Sequence, residues 1–314
     1  MNEGPGVFVL GSYVAACSVS VERLPAPGET LAAGDFLLEA GGKGLNVAIG
    51  LRRLGVAVDG LIAAGDDLFG ALAAAALTAA DLPAGMLRRV AGRSGAGVGL
   101  IDRTGDTVIA VYPGANRMLG ATHVATAAAS IGTASHVVAQ FEIGDEPIAA
   151  AFALAGAGAT TVLNPSPFRP VDPAILQRTG MLVANATEAC ALARSLGVPA
   201  VPDDAPVEQW SALAGAVHGA GVATLVVTRG ARDALLWQRG EAPLVQPSFA
   251  VACVDGIGAG DAFLAGLVAS RAEGRPIAEA LRIAAACGAI ATMRHGVAVT
   301  LPTQPQLAEF LRQR

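Results

Sequence analysis

The sequence predicts an α/β fold with a doubly wound, mostly parallel sheet flanked by helices and a small β-sheet lid. Short apolar runs alternate along the chain with amphipathic or Ala-rich segments, and these runs are bounded by turn-forming or polar residues. Both features are typical of buried parallel strands joined by helices. Two early segments depart from this rhythm and predict the lid. Of the 314 residues, 53% are hydrophobic, which is enough for a large core.

Parallel strands are predicted at six apolar runs: VFVLGS (7–12), VDGLIAAG (58–65), SHVVAQ (135–140), TTVLNP (160–165), GMLVAN (180–185) and ATLVVTRG (223–230). Helices are predicted where Leu and Ala recur at helical spacing, in KGLNVAIGLRRLG (43–55), LFGALAAAALTAA (68–80) and EACALARSLG (188–197). A further strand-like run, FAVACV, precedes the last glycine-rich motif. Repetition of strand, helix and strand indicates a doubly wound sheet.

The lid is predicted from GETLAAGDFLLEAGG (28–42) and GAGVGLIDRTGDTVIAVYPGAN (95–116), the second of which alternates and folds about DRTGD. Both are typical of antiparallel strands. Since no repeat or low-complexity linker interrupts the chain, we expect one domain over residues 1–314, with lid strands inserted from about 12–42 and 94–116. The Pro-rich stretch at 197–209 is interpreted as a surface loop.

Composition excludes several partners. The formal net charge is −5, and Lys and Arg are spread along the chain rather than gathered in a basic stripe, which argues against nucleic acid. The apolar stretches are broken well short of the roughly 20 residues that a membrane span requires. The start MNEGPGVFVLGS lacks the features of a signal peptide. Four cysteines without ligand spacing are expected to be buried free thiols, so the prediction is a cytoplasmic protein.

The stretch VDGIGAGDAFLAGL (254–267) places Gly258, Ala259 and Gly260 at the first turn of a predicted helix. The free N–H groups there and the helix dipole form an anion site. Asp261 lies on the same turn and could take a proton from a hydroxyl while the N–H groups hold a transferring phosphoryl group. The alternative is that the glycines only permit a tight turn and Asp261 caps the helix.

A second glycine-rich stretch, AGGKGLNVAIGLRRLG (40–55), also opens a predicted helix. Gly42 and its neighbours surround Lys43, and Asn46 projects from the first turn. This set of backbone donors, a charge and an amide suits sugar hydroxyls or a phosphate. It is not a Walker P-loop, because neither Ser nor Thr follows Lys43.

Together, GGKGLNVAIGLRRLG and DGIGAGDAF resemble the two signatures of the ribokinase, or PfkB, family of carbohydrate kinases. The resemblance is collinear over essentially the whole chain, through GSYVAA (11–16), PAPGET (25–30), AGDDLFG (64–70), YPGAN (112–116), QFE (140–142), LNPSP (163–167), NATE (185–188), TRGARD (228–233) and RHGVAVTLP (294–302). It implies a ribokinase-like fold and an ATP-dependent kinase acting on a sugar hydroxyl.

The resemblance also implies residue roles. Asp261 matches the catalytic base, and Gly258, Ala259 and Gly260 match the anion hole. Sugar-binding positions match Ser12, Gly42, Lys43, Asn46 and Glu142. Nucleotide-phosphate contacts match Asn185, Thr228, Gly230 and Gly260. Asn185 and Glu188 match a motif that helps to hold Mg²⁺ and phosphates, although they could form only an N-cap.

Members of the ribokinase branch often bind K⁺ beside the anion hole. The matching positions are Asp255, Ile257, Ala291, Arg294, Gly296 and Thr300. The alternative is that Asp255 hydrogen-bonds only the N–H groups of its own loop.

Two departures from the family bear on the substrate. Where ribose-binding members carry Asn and Asp, this chain has Val14 and Ala16, so two groups that would bind sugar hydroxyls are missing. We therefore predict that ribose is not the natural substrate. Tyr13 and Cys17 would suit a less polar or base-bearing ligand such as a nucleoside.

Three function classes follow. The favoured one is an ATP-dependent kinase of a sugar or nucleoside. The others are a sugar- or nucleotide-binding regulator without turnover, and a dinucleotide-dependent oxidoreductase, which is disfavoured because GxGxxG does not follow the first strand. Because such lids often pair between subunits in this family, we expect a homodimer through the lid.

Overall fold

The structure, a computed structural model, describes residues 6–104 and 107–314. Within these residues the strands, in chain order, are β1 (Val7–Gly11), β2 (Val14–Val21), β3 (Asp35–Gly41), β4 (Val58–Gly65), β5 (Leu87–Val90), β6 (Ala96–Asp102), β7 (Thr107–Tyr112), β8 (His136–Gln140), β9 (Thr160–Asn164), β10 (Met181–Asn185), β11 (Thr224–Thr228), β12 (Ala234–Gln238) and β13 (Leu244–Gln246). The stretch 1–5, on which part of the signal-peptide prediction rests, lies outside the described residues, and so does part of the predicted DRTGD turn.

The helices of the described residues are α1 (Lys43–Arg53), α2 (Leu68–Ala79), α3 (Ala121–Ala125), α4 (Ala128–Thr133), α5 (Asp145–Leu154), α6 (Pro173–Gln177), α7 (Ala186–Ser195), α8 (Ser211–Gly219), α9 (Ala259–Ala272), α10 (Ile277–Ala291) and α11 (Gln304–Arg312). Short 3-10 turns lie at Ala84–Met86, Gly114–Met118, Val207–Trp210 and Ala298–Thr300. The three helices predicted from Leu and Ala spacing are confirmed as α1, α2 and α7.

The large sheet has the strand order β13-β12-β11-β10-β9-β8-β1-β4-β5. From β11 to β5 every neighbouring pair is parallel, and the edge strands β12 and β13 are antiparallel. All six predicted parallel strands are present. The chain runs from β1 outward to one side through β4 and β5, then returns to β8 and continues outward on the other. The order therefore reverses between β1 and β8, which is the position where doubly wound folds bind their ligands.

Two apolar cores cover the faces of this sheet. One joins the sheet to α1, α2, α9 and α10, and the other joins it to the helices between α3 and α8. The central strands are buried on both faces, and every residue of β1 and β8 is buried. Burial on both sides explains why these strands read as continuous apolar runs rather than as alternating ones.

The lid is a four-stranded sheet of order β3-β2-β6-β7. The β2–β3 and β6–β7 pairs are antiparallel, as predicted, but β2 and β6 pair in parallel. The expectation of strand structure from residue 28 is wrong, because β3 begins only at Asp35 and the strand paired with it is β2. The sequence VAACSVSV of β2 mixes small polar and apolar residues, so it carries a weak strand signal.

Paired residues across these strands project to the same face of the lid. One face, here called the Glu39 face, carries Val14, Ala16, Glu39, Gly97, Gly99, Ile109 and Val111. The opposite face, here called the Phe36 face, carries Cys17, Phe36, Leu38, Val98, Val108 and Tyr112.

The expected strand FAVACV is absent from the described residues 249–254. The Phe249 ring packs edge-on against that of Phe310, with centroids 5.4 Å apart. Further along, the N–H groups of Val254 and Asp255 donate to Thr292 O at the end of α10, over 2.8 and 3.2 Å. The segment is thus fixed by helix ends rather than by a neighbouring strand. Its Cys253 is exposed, Cys17 and Cys190 are half-buried, and Cys287 is buried. The expectation of four buried thiols is therefore confirmed only for Cys287.

The Pro-rich loop at 197–209 lies between α7 and α8, as predicted. Of the helices in the described part of the chain, none combines the length and the apolarity that a membrane crossing needs.

Candidate active site

The candidate site lies at the carboxyl ends of β1 and β8, where the strand order reverses. The start of α1 crosses the end of β1 very closely: a Cβ atom built on Gly44 would lie 2.3 Å from Ser12 N and 2.4 Å from Gly11 Cα. A side chain at Gly44 would therefore separate the two segments. Because they touch, Gly44 N lies 3.3 Å from Ser12 Oγ and donates to it.

Glu142, which follows β8, is tied to both segments. Its Oε2 accepts a very short hydrogen bond from Ser12 Oγ and a 2.8 Å bond from the backbone N of Lys43. Gln140, at the end of β8, donates to Lys43 O over 3.3 Å. The predicted sugar-binding residues Ser12, Lys43 and Glu142 thus converge, although they come from three separate parts of the chain.

Asp261 lies at the first turn of α9, and its side chain meets the first turn of α1. Asn46 Nδ2 donates to Asp261 Oδ2 over 2.7 Å, and Lys43 Nζ lies 3.9 Å from Asp261 Oδ1. Only 7% of the Asp261 side chain is exposed. The two glycine-rich motifs of the sequence are therefore halves of one site.

Lys43 is surrounded by carboxylates. Burial lowers the pKa of Lys43, but the negative charges of Asp261, Glu142 and Glu188 raise it by more, so its pKa lies above the ordinary value. The ammonium group is therefore charged at neutral pH. It partly offsets the three negative charges among which an anionic substrate would have to bind.

The N-terminus of α9 is built for close approach to its backbone. Its N-cap residue Gly258 has φ = 80°, in the left-handed region that L side chains rarely adopt. A Cβ atom built on Gly256 or Gly260 would meet nothing within 4 Å, so open space lies beside the first turn. The N–H groups of this turn have no acceptor within the helix, and the bond from Ala259 N to Gly256 O is long, at 3.4 Å. These groups can therefore hold a negative charge. Asp261 flanks this space.

Asn185 and Glu188 form a reciprocal capping box at the start of α7. Asn185 N donates to Glu188 Oε2, and Glu188 N donates to Asn185 Oδ1, each over 2.9 Å. The N-cap alternative is therefore realised. The charge of Glu188 nevertheless acts on Lys43, so this carboxylate lies within electrostatic range of the predicted sugar-binding residues.

Thr228 and Asn185 are direct neighbours, since they pair in register at the ends of the parallel strands β11 and β10. Gly230 follows with φ = 61° and open space around it. The predicted nucleotide-contacting residues thus lie at or just beyond the carboxyl ends of β10 and β11, on the same side of the large sheet as the carboxyl end of β1.

The predicted K⁺ positions come from two segments that the structure brings together. Asp255 N donates to Thr292 O over 3.2 Å, and Asp255 Oδ2 lies 4.0 Å from His295 Nδ1. Asp255 Oδ1 accepts from Ile257 N over 2.9 Å, so the bond expected under the alternative interpretation is present. The other predicted positions, Ala291, Arg294, Gly296 and Thr300, end α10 or follow it.

Two features of the site were not predicted from the sequence, a buried asparagine clamp and a pair of buried oxygens without partners. Asn116, which is fully buried, clamps the link between β1 and β2: Tyr13 N donates to its Oδ1 over 3.0 Å, and its Nδ2 donates to Tyr13 O over 2.7 Å. Among the described residues, Asn46 Oδ1 and Gln140 Oε1 are buried without a hydrogen-bond partner. Unsatisfied buried acceptors at a site are positions that a ligand could satisfy. The YPGAN motif was the available signal for Asn116.

The expectation that Tyr13 and Cys17 contact the ligand is wrong. Tyr13 is fully buried and its hydroxyl donates to Phe69 O over 2.7 Å. Burial raises the pKa of Tyr13, and the charge of Asp67 adds to the increase. Cys17 lies on the Phe36 face, opposite to Ala16, because successive residues of a strand alternate.

Comparison with known proteins gives a consistent result. The model of the pfkB family of carbohydrate kinases matches residues 5–304. The ribokinase of Haemophilus influenzae is 28% identical over 306 residues, covering 96% of this chain and 97% of the relative. The deoxyribokinase of Salmonella typhimurium is 27% identical over 308 residues, with 97% and 98% coverage. The solved structure of Arabidopsis thaliana ribokinase complexed with ribose and ATP superposes with a TM-score of 0.90 at 28% identity, covering 98% of this chain and 99% of that one.

Proposed function

Because the chain belongs to the pfkB family of carbohydrate kinases and is an ATP-dependent sugar kinase, we propose that Asp261 is its catalytic base. The observation that supports this role most directly is the position of Asp261, held by Asn46 and Lys43 beside the open N-terminus of α9. The oxidoreductase and the regulator without turnover are set aside.

In the proposed reaction Asp261 takes the proton of the sugar hydroxyl as its oxygen attacks the γ-phosphorus of ATP. The bond from that phosphorus to the bridging oxygen breaks, and ADP leaves. The N–H groups of Ala259 and Gly260, with the Gly258 backbone, hold the charge on the transferring phosphoryl group. Lys43 and Asn46 orient the base, since both contact its carboxylate.

The acceptor sugar is proposed to bind between the ends of β1 and β8. Ser12 and Glu142 there are already paired, and the N–H groups that follow Gly42 line the same place. The unpartnered Asn46 Oδ1 would accept a hydrogen bond from a sugar hydroxyl. Each bond to a hydroxyl contributes about 0.5–1.5 kcal/mol, so several are needed for useful affinity.

ATP is proposed to lie along the edge formed by Asn185, Thr228 and Gly230, with its γ-phosphate at Gly260. Mg²⁺ prefers oxygen ligands and is often held by one or two carboxylates together with substrate phosphates. Glu188 and Asn185 fit that pattern, because they supply a carboxylate and an amide at the carboxyl end of β10, where the ATP phosphates are proposed to lie. When bound, the ion would neutralise phosphate charge.

A potassium ion is proposed at the segments around Asp255 and Gly296. The donor set, one carboxylate and several backbone carbonyls, consists of hard oxygens and fits a monovalent cation. Such an ion would stabilise the loop that precedes α9 without taking part in proton transfer. A cytoplasmic location is proposed, because the reaction consumes ATP.

The acceptor is proposed to be a sugar other than ribose. Val14 is buried, and both Val14 and Ala16 present alkyl groups on the Glu39 face, so neither side chain can bind a hydroxyl. A nucleoside is the second candidate. It is favoured by Ile109 and Val111, which are 58% and 56% exposed on the same face and could contact a base.

A panel of acceptors tests the substrate. ADP release is measured with ribose, 2-deoxyribose, fructose, adenosine and pseudouridine at equal concentration, with and without K⁺. We expect ribose to have a lower kcat/KM than at least one other acceptor. A clear preference for ribose would refute the substrate proposal.

The lid is proposed to pair with that of a second copy of the chain. Its Phe36 face exposes a continuous apolar surface, with exposures of 60% for Phe36, 54% for Val108 and 55% for Tyr112. Monomers rarely leave such a patch uncovered. A second copy offers the same patch across a two-fold axis, which makes the contact self-complementary.

Sedimentation equilibrium tests this pairing. We expect twice the chain mass for the native protein and one chain mass for Val108→Glu, which places a charge on the patch. Ser20→Glu, which adds the same charge on the other face of the lid, is the control and should stay dimeric. A native protein of single-chain mass would overturn the pairing.

A further inference from the structure

We propose that Glu39 is a positioning residue that links the lid to the N-terminus of α9 through Val297. This inference rests on the proposed role of that N-terminus as the anion hole. It concerns a lid residue that lies outside both glycine-rich motifs. Three contacts carry it.

The first contact joins the lid to the segment after α10. Glu39 is half-buried on β3. A Cβ atom built on Gly296 would lie 3.1 Å from its Oε1 and 3.5 Å from its Oε2, so the carboxylate lies over the Gly296 backbone. Burial raises the pKa of Glu39, and the backbone N–H of Val297 acts in the opposite direction, as a donor facing this carboxylate would. The lid thus touches this segment through one polar side chain.

The second contact joins that segment to α9. A Cβ atom built on Gly258 would lie 2.9 Å from Val297 Cγ1 and 3.7 Å from Val297 Cα. Val297 therefore packs directly against the N-cap of α9, the residue whose left-handed backbone turns the chain into the helix. A displacement of Val297 would change the support of that turn.

The third set of contacts holds the segment around Val297 in place, so that a change at Glu39 can affect Gly258. Thr300 Oγ1 donates to Val297 O over 2.8 Å, and its backbone N donates to the same oxygen over 3.2 Å. Arg53 Nη1 donates to Leu301 O over 2.8 Å and ties the segment to α1. Val297 is thus fixed by bonds within its own segment and to α1, and Glu39 faces that segment from the lid.

Phosphoryl transfer therefore depends on whether the lid lies over the site. When the lid lies over the site, Glu39 holds Val297 against Gly258 and fixes the donors of the first turn. When the lid lifts, that support is lost. Binding of the acceptor beneath the lid would therefore help to order the anion hole, so that the donors are set when a sugar is present.

Kinetics of Glu39 variants test the link. We expect Glu39→Ala to lower kcat about tenfold, as loss of one charge-assisted hydrogen bond does, with little change in KM for ATP and in thermal stability. Glu39→Gln keeps an acceptor oxygen and should stay within about threefold of the native kcat. Asp35→Ala removes another carboxylate from the same strand and the same face, and it should leave kcat unchanged.

A double-mutant cycle separates the link from independent effects. If Glu39 acts through Val297, the combined Glu39→Ala and Val297→Ala change should cost little more than either change alone. Additive losses, or a native kcat in Glu39→Ala, would overturn the link. Equal impairment of the Gln and Ala variants with a raised K⁺ requirement would also overturn it, because charge rather than the hydrogen bond would then matter. None of these results touches the role of Asp261, which is tested separately.

Discussion

The side-chain amide of Asn46 donates a 2.7 Å hydrogen bond to Asp261 Oδ2, although 215 residues separate the two in sequence. Each residue lies at the first turn of a helix that begins with a glycine N-cap. In the proposed mechanism one helix supplies groups that bind the acceptor and the other supplies the base and the anion site. The bond would then fix the base relative to the acceptor, which is the geometry that a phosphoryl transfer needs.

Replacement of Asp261 by Asn removes the proposed base while keeping the size of the side chain. We expect kcat to fall by about 10²- to 10⁴-fold, the usual contribution of general base catalysis. The KM for the acceptor should change little, and calorimetric titration should still show ATP binding. Measurement of ADP release with the preferred acceptor checks this. An unimpaired variant would contradict the assignment of the base.

Replacement of Asn46 by Asp tests the coupling to Asp261. Two carboxylates at hydrogen-bonding distance cannot both ionise readily, so one pKa of the pair rises. Because the base must be deprotonated, the acidic limb of the kcat/KM profile should move to higher pH. Asn46→Ala removes the donor but adds no charge, so it should lower the rate and move that limb less than Asn46→Asp does. Profiles of the two variants with the same acidic limb would disprove the coupling.

Much of the fold was predictable because the burial of a strand determines its pattern of apolar residues. Strands buried on both faces are continuous apolar runs, and this identified β1, β4, β8, β9, β10 and β11. The two helix starts at the site were predictable because close approach and left-handed backbone require glycine. In both cases a local requirement dictates the residue type.

Other features depend on contacts between distant segments and leave little local signal. The parallel pairing of β2 with β6 unites strands that other elements separate in the chain. Tyr13 was assigned to the ligand, but the clamp by Asn116 fixes its backbone and its ring lies buried in the core. The link through Glu39 and Val297 is equally invisible, because Glu39 lies outside the quoted motifs and the RHGVAVTLP segment that contains Val297 does not reveal what that residue contacts.

Substitution of Val14 by Asn together with Ala16 by Asp tests the origin of substrate choice. Two new hydrogen-bonding groups would face the acceptor, and we expect kcat/KM for ribose to rise about 10- to 100-fold. Ser18→Asp, one step further along the same face of β2, is the control and should give no gain. If the double variant gains nothing while it still phosphorylates the preferred acceptor, the lid does not decide between sugars.

Gly260 and Gly44 form a contrasting pair of helix-start glycines. A Cβ atom at Gly260 would meet nothing within 4 Å, whereas one at Gly44 would lie 2.3 Å from Ser12 N. We expect Gly260→Ala to keep or raise the free energy of unfolding, by up to about 1 kcal/mol, since Ala favours helix. It should still lower kcat, because the methyl group enters the proposed phosphate space.

Gly44→Ala should instead destabilise the protein by about 3 kcal/mol, the upper end of the usual cost of overpacking, because the clash is with backbone that cannot move aside. Urea unfolding and ADP release measured on both variants check the pair. A Gly260→Ala protein with native kcat would show that the phosphoryl group does not approach that residue.

His136, at the start of β8, predicts a loss of stability in acid. Burial lowers the pKa of His136 from 6.5 to about 4, with a smaller contribution from the positive charge of Arg271. The unfolded chain therefore binds a proton between these values and the folded protein does not. Stability from this residue is complete above about pH 6.5 and is lost as the pH falls towards 4.

Replacement of His136 by Gln removes this titration. Between pH 7 and pH 5 the native protein should lose about 2 kcal/mol more unfolding free energy than the variant does, since each unit of pKa shift corresponds to about 1.4 kcal/mol. Urea unfolding of both proteins at the two pH values measures the difference, and effects of other titrating groups cancel between them. Parallel losses in the two proteins would mean that His136 takes up its proton equally well in the folded state, and acid sensitivity would then have to come from the carboxylates.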